Sequence, residues 1–348
     1  MSLIYDIVTA GNIAGYFDTK QLDVDESLGE KIFPARKQLG TKLTFIKGAS
    51  GRPVVLKPAA FDTDVTIRER IGVEMKEGEM PFFKEAMVVK EADRQQLNML
   101  ADAGRPELID AIIEGIFNDE LTLLQGAKAR LEQMRMQVLA TGKIALEAEG
   151  KYVDLDYDVA ADHKGSVKVA WTDAKATPLT DLEDFIDKAT ELGLAPEILI
   201  MNAKTFGQIR KATSTVKIIK PLAGDGAAVT RAELESYIKD NYGLTIVLKD
   251  GTFKNDKGEV VKYYPDGHIT MAPNVNLGST VFGTTPEESD LMTGNVPGAE
   301  VKVVETGIAV TTTKQTDPVN VRTKVSMIAL PSFERLDECY MITTVPAI

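Results

Sequence analysis

Hydrophobic and polar positions follow three different rhythms along this chain. Near the N-terminus the pattern is weak: a short helix is predicted over Ala10–Phe17, followed by the acidic run Asp23-Val24-Asp25-Glu26. Lys42–Ile46 reads as a strand, broken by the turn formers Lys47-Gly48-Ala49-Ser50-Gly51-Arg52-Pro53. The clearest period of two comes next. Val65, Ile67, Ile71, Val73 and Met75 fall on one side, and Thr66, Arg68, Arg70, Glu74 and Lys76 on the other, with Glu69 the exception on the apolar side. This is either the half-buried edge of an ordinary sheet or one arm of a protruding charged hairpin. In the second case Arg68, Arg70, Glu74 and Lys76 are the candidate contacts with a neighbouring subunit. An exposed strand of this kind invites aggregation unless charges or a partner protect it. No segment up to this point can close a core alone, so the apolar faces of the N-terminal part are expected to be buried against other copies of the chain.

The period then changes to that of a helix. After Gly104-Arg105-Pro106, where proline suits a first turn, Ile109, Ile112, Ile113, Ile116, Phe117, Leu121, Leu124, Leu131, Met134 and Val138 recur at three- and four-residue steps until Gly142. About 36 residues at about 1.5 Å each make a helix of roughly 50 Å, with Gly115 and Gly126 as places for a bend or a close neighbour. Gly142 opens a hairpin of Ile144–Glu147 and Tyr152–Asp158, turning at Glu149-Gly150.

The rest of the chain mixes helices and strands. Thr180 and Glu183 suggest a capping box for a helix carrying Leu182, Phe185, Ile186 and Ala189 and ending near Gly193. Glu197–Met201 reads as a buried strand, Asn202 as the cap of a helix through Lys211, and Thr230 with Glu233 as a second capping box for a helix ending at Tyr242-Gly243. Strands are predicted at Leu244–Leu248, Val260–Tyr264, His268–Met271, Val301–Val304, Ile308–Thr313, Arg322–Leu330 and Cys339–Thr344. The class is α+β, with no repeat and no low-complexity linker.

Composition narrows the functions. A chain of 348 residues with 44% apolar content fills about two domains. Lys+Arg of 40 against Asp+Glu of 52 leaves a formal charge of −12, which argues against a general nucleic-acid binder while leaving room for a local basic patch. Cys339 is the only cysteine, so there is no intrachain disulfide and no multi-cysteine metal site, and it is expected to be a small buried residue of a C-terminal strand. Met1-Ser2-Leu3-Ile4-Tyr5-Asp6 lacks the basic region and apolar run of a signal peptide, and no stretch reaches membrane-spanning length. The chain is expected to be made in the cytosol.

Catalytic chemistry finds little support. His163 and His268, the only histidines, lie in separate regions outside any metal-binding spacing. Gly224-Asp225-Gly226 starts like a dinucleotide fingerprint, but Val229 stands where the third glycine belongs and no strand leads into it. Neither a P-loop nor a nucleophile-elbow segment occurs. The carboxylate runs Glu74/Glu77/Glu79 and Asp181/Glu183/Asp184 sit where solvated charge is expected. No enzyme, no cofactor and no metal site is expected.

The order of parts does resemble a known family. The arm, the charged hairpin and the long helix are followed by Lys143-Ile144-Ala145-Leu146-Glu147-Ala148-Glu149-Gly150-Lys151-Tyr152-Val153-Asp154-Leu155-Asp156-Tyr157, then by Trp171-Thr172-Asp173 and Thr177-Pro178-Leu179-Thr180-Asp181-Leu182. With Ile198-Leu199-Ile200-Met201-Asn202-Ala203-Lys204-Thr205-Phe206, this is similar to the lambda-type major capsid protein E family of tailed bacteriophages, over nearly the whole chain.

The resemblance implies an HK97-like capsid fold: an N-arm over 1–40, an extended E-loop hairpin over 41–92, a peripheral domain with its spine helix over 93–210, an axial domain over 211–325, and strands 326–348 returning to the peripheral domain. It also implies hexamers and pentamers in an icosahedral head around double-stranded DNA, assembled in the host cytoplasm and carried in the virion. Scaffolding protein, portal protein, decoration protein and packaged DNA are the partners it suggests. The chain begins directly with the arm, so a separate scaffolding protein, and with it a separate protease, is expected. Two rival readings remain at this point: an encapsulin-like compartment shell, which would share the fold, and a cytosolic α+β enzyme with dispersed site residues.

Overall fold

Alternating apolar residues make Val319–Ser332 a 14-residue strand, and one sheet is built on it. The computed structural model of the chain describes residues 4–21, 27–47, 74–102, 106–148, 151–222, 227–255, 257–294, 298–316 and 319–346. Packing gathers the chain into two compact units, the first made of residues 1–43, 77–134 and 279–332, the second of 44–76, 135–278 and 333–348.

In the first unit Ile308–Thr316 runs antiparallel to Val319–Ser332 from Ile308 opposite Met327 to Thr316 opposite Val319, and Ala299–Val304 lies beyond it. The other flank of the long strand is shared. Phe82–Val88 pairs with Arg322–Ile328, and Ser279–Phe282 with Ala329–Ser332, with Ala35–Lys37 added in parallel outside the latter. Six strands thus come from three distant parts of the sequence.

The arm differs from the expectation drawn above. The helix Ala10–Gln21 runs four residues further than predicted, and it packs on strands Ala299–Val304 and Ile308–Thr316 of its own chain. Ile4, Val8, Ile13, Ala14, Phe17, Ile32, Phe33 and Leu43 are all buried there, and Tyr5 donates its hydroxyl to the Gln315 carbonyl at 2.6 Å. The arm's apolar residues therefore find a core within the subunit, because a sheet face supplied some 290 residues later completes it.

The long helix spans Pro106–Thr141, 36 residues, with Gly142 in the left-handed region at φ 70° as its stop. Among the described residues nothing lies close beside Gly115 or Gly126, and the helix runs on through both. Residues 106–134 belong to the first unit. There Thr122 reaches Met87, Arg130 lies over the Phe83 ring, and Lys128 pairs with Glu305 at 2.6 Å, so this stretch lies along the sheet. Leu124 is fully buried, as its stripe position predicts.

The second unit has a five-stranded sheet in the order Lys164–Ser166, Tyr340–Thr343, His268–Ala272, Ile198–Met201, Thr245–Leu248. Helices Pro178–Glu191, Ala203–Lys211, Thr213–Ile219 and Arg231–Tyr242 supply a core of Leu179, Leu182, Phe185, Phe206, Ile209, Leu234 and Ile238 against Leu199, Met201, Ile269 and Ile342. Thr270 donates to the Leu139 carbonyl at 2.7 Å, tying the end of the long helix to this sheet. Asn202 caps its helix by accepting from the Thr205 amide at 2.8 Å, and Thr230 with Glu233 forms the expected capping box, closed by Gly243 at φ 71°. The Thr180 to Glu183 box does not form. The helix starts three residues earlier behind Thr177, because Pro178 occupies its first turn, where the missing amide costs nothing.

Cys339 is buried just ahead of the strand Tyr340–Thr343 rather than inside it. Residues 135–210 pack with 211–278, while 279–332 pack with the N-terminal part of the long helix. The reason is the sheet register: Val319–Ser332 carries strands of the first unit on both flanks, and Tyr340–Thr343 pairs with His268–Ala272 of the second.

Candidate assembly surfaces

Lys42–Lys47 and Glu74–Glu79 pair as a two-stranded ribbon, the base of the charged hairpin. Glu74 and Lys76 fall on its second strand, while Arg68 and Arg70 lie outside the described residues. Two further ribbons stand apart from the large sheets. Lys143–Ala148 pairs with Lys151–Asp156, its open end pinned by the Lys143 and Asp156 ion pair at 2.8 Å. Thr252–Lys254 pairs with Val260–Lys262, with Phe253 stacked on Tyr263 at 5.1 Å and Val260 68% exposed. A two-stranded ribbon is marginal alone in water. The Lys143–Ala148 ribbon finds support within the chain, where Ile144 and Leu146 are buried.

Buried charges fix the elements behind the surface. Thr285 and Glu288 form a capping box at the start of Pro286–Thr293, and both acids of its first turn reach back to the sheet of the first unit. Lys37 binds Glu288 at 2.6 Å and donates to the Gly283 carbonyl at 2.9 Å, and Glu287 takes Lys324 and the Ser326 hydroxyl. Burial opposes the Glu287 charge, but these donors outweigh it and hold the carboxyl below its ordinary value. The helix is thereby clamped with Met292 66% exposed. In the second unit Asp266 accepts from Lys204, Lys262 and Asn202, each at 2.7 Å, which overcomes its partial burial and lowers it to about 2. That knot secures the turn at Pro265-Asp266-Gly267, where the Gly267 amide also donates to Thr205 at 3.0 Å.

The residues weighed for chemistry are scattered and occupied. The His163 ring nitrogen Nδ1 lies 3.0 Å from the Cys339 carbonyl, and the His268 Nδ1 lies 2.9 Å from the Asp266 carbonyl. Burial pushes the Cys339 thiol far up, away from the thiolate a nucleophile needs. Asp181 accepts the Trp171 indole N–H at 2.8 Å, with burial raising its carboxyl, and Glu183 and Asp184 are exposed. Among the described residues no group of His, Cys, Asp and Glu is placed to hold a metal ion, and no helix is long and apolar enough to cross a membrane. Residues 223–226, with the incomplete glycine fingerprint, lie outside the described residues.

Sequence reasoning missed one buried acid with a readable signal. Glu120 sits four residues after Ile116 and four before Leu124, on the apolar stripe itself, and is 2% exposed. Glu132 is a second, held by the Ser27 hydroxyl at 2.8 Å and the Gly29 amide at 3.3 Å.

A two-unit α+β chain with a paired ribbon at Lys42–Lys47 and Glu74–Glu79, a long helix laid on one sheet and a second sheet layered with helices belongs to a class, the HK97-like phage capsid fold. A structure of a putative prophage capsid protein from E. coli CFT073 shares it with a TM-score of 0.57 at 14% identity, over 97% of this chain and 99% of that one. A phage-related protein from Bordetella bronchiseptica RB50 shares it with a TM-score of 0.52 at 15% identity, over 95% and 96%. The family described as phage major capsid protein E matches residues 10–344, and the chain belongs to that family. Its members are structural capsid proteins, not enzymes, and are part of the virion. No curated protein matches this chain.

Proposed function

We propose that this chain is the principal shell subunit of a tailed phage or prophage head, assembling into hexamers and pentamers of an icosahedral shell that encloses double-stranded DNA. The observation that carries the proposal is the family match over residues 10–344 on a fold that keeps the extended hairpin base and the long helix. In this reading 1–40 is the arm, 41–92 the extended loop, 93–210 the peripheral domain to which 326–348 return, and 211–325 the axial domain. The hairpin between Lys47 and Glu74 reaches a neighbouring subunit, and Arg68, Arg70, Glu74 and Lys76 make its polar contacts.

Physical considerations support the assignment. A shell forms through many contacts that must each stay weak enough to correct errors, which favours charged ribbons over one large apolar patch. The formal charge of −12 suits a container for DNA, since a strongly basic lining would hold the genome through phosphate contacts and hinder its release. Scaffolding protein, portal and decoration protein are the further partners this function calls for, with assembly in the host cytoplasm. Coexpression with the neighbouring genes, followed by negative-stain microscopy and nuclease-protection analysis of the contents, tests the proposal. Closed particles with protected DNA support it. Closed particles filled with protein cargo would point instead to a compartment shell, and a small soluble oligomer would count against both.

A further inference from the structure

Glu120 is the one residue on the helix stripe between Ile116 and Leu124 whose chemistry contradicts its place. Its Oε2 atom is buried with no hydrogen-bond partner among the described residues, and the Thr323 hydroxyl beside it, on the central strand of the first sheet, is buried without one as well. An ionised carboxylate can only accept hydrogen bonds, and burying it unpaired is costly. A neutral carboxyl gains an O–H that can be donated to Thr323.

No charge nearby rescues the ionised form. On the helix, Asp119 adds repulsion, and its own partner is Lys90 at 3.3 Å. The residues of Phe82–Val88 that share the Thr323 face by register are Phe83, Glu85 and Met87, and Glu85 is exposed and adds a second negative charge. From Ile308–Thr316 the same face carries Val310, Thr312 and Lys314, and the Lys314 ammonium lies over the Tyr5 ring at 5.5 Å. The N-terminal helices bring Asp6 and Lys20, and Lys20 lies over the Tyr16 ring at 5.5 Å.

We propose that Glu120 is a proton-sensitive latch between the long helix and the sheet of the first unit: protonated, it is tolerated in the buried contact and closes it, and ionised, it loosens it. Burial pushes the Glu120 carboxyl up to about 7, with Thr323 pulling slightly back and Asp119 pushing further up. For a carboxyl raised above its unfolded value, stability is full below the ordinary value of 4.5, falls as pH rises from there, and levels off beyond about 7. The latch therefore closes on mild acidification around neutrality, a range in which ordinary carboxylates do not respond.

The test is denaturant unfolding of the full-length subunit from pH 5 to pH 8.5, comparing wild type with Glu120→Gln, which keeps the shape and cannot ionise. The ratio of their folding equilibrium constants should rise from roughly fourfold at pH 5 to roughly three-hundredfold in favour of the variant at pH 8. Carbon-13 NMR of the glutamate carboxyls in the wild-type protein gives an independent reading, with one resonance titrating near neutrality that is missing from the variant. Parallel pH profiles, or no glutamate titrating above pH 6, would overturn the proposal. Thr323→Val should move the Glu120 titration further up, because the Thr323 hydroxyl pulls it down, whereas an unmoved titration would show that Thr323 serves packing alone.

Discussion

Leu124→Ala probes the contact on which the first unit is built. Leu124 is 0% exposed at the middle of the long helix, where Glu120, Thr122, Lys128 and Arg130 on either side all reach the sheet. Truncation removes three buried carbons, worth about 2.4 kcal/mol at about 0.8 kcal/mol each. The cavity left in a contact between a rigid helix and a sheet adds to this, giving a total of about 2–5 kcal/mol. That is a large part of the ~5–15 kcal/mol that separates folded from unfolded domains. With a urea m-value of about 2–3 kcal/mol/M, the midpoint should fall by roughly 1–2 M. Circular dichroism at 222 nm on the unassembled subunit is the assay, because the defect belongs to the subunit and precedes any assembly step. Leu124→Asp should be worse, since it buries an unpaired carboxylate. A shift under about 0.5 kcal/mol for both variants, the size expected of an exposed position, would refute the packing of this face.

Three further outcomes follow from other parts of the chain. Replacing Lys47–Glu77 by a short glycine linker should leave a soluble subunit with near-native helix content that forms no particles, and unfolding on deletion would place the hairpin in the core instead. Arg68→Glu combined with Arg70→Glu should block assembly while leaving the circular dichroism spectrum unchanged, since losing one partner of a partly buried charge contact costs about 2–5 kcal/mol, and an unaltered particle yield would speak against these contacts. Lys324→Met should destabilise the subunit by about 1–3 kcal/mol by leaving Glu287 half-paired, and the double change with Glu287→Met should recover much of that loss, so additive losses would mean that the two residues do not act as a pair.

Local chemistry made much of this fold readable. Asn202 and the Thr230 to Glu233 box marked their helices because a cap is a decision between neighbouring residues, and Gly142 and Gly243 marked helix ends because both adopt positive φ. The same logic misplaced one helix start, where Pro178 outweighed Thr180. It also overlooked Pro286–Thr293, although Thr285 and Glu288 carry the same box as Thr230 and Glu233. What the sequence hid is long-range. Nothing near Ala10–Gln21 shows that Ala299–Val304 and Ile308–Thr316 will cover it, and nothing near Ser332 shows that the chain passes there from one unit to the other. The strand at Lys42–Ile46 was legible from its local pattern, whereas the lysine clamps on Glu287 and Glu288 depend on pairings across some 40 and 250 residues.

The most direct test of the central claim is electron microscopy of the purified protein coexpressed with its neighbouring genes, with the Lys47–Glu77 deletion prepared in parallel. The account predicts closed icosahedral particles from the full chain and only dispersed, folded subunits or capsomers from the deletion. A full chain that stays a small oligomer under these conditions, or a deletion variant that closes into the same particles, would contradict it.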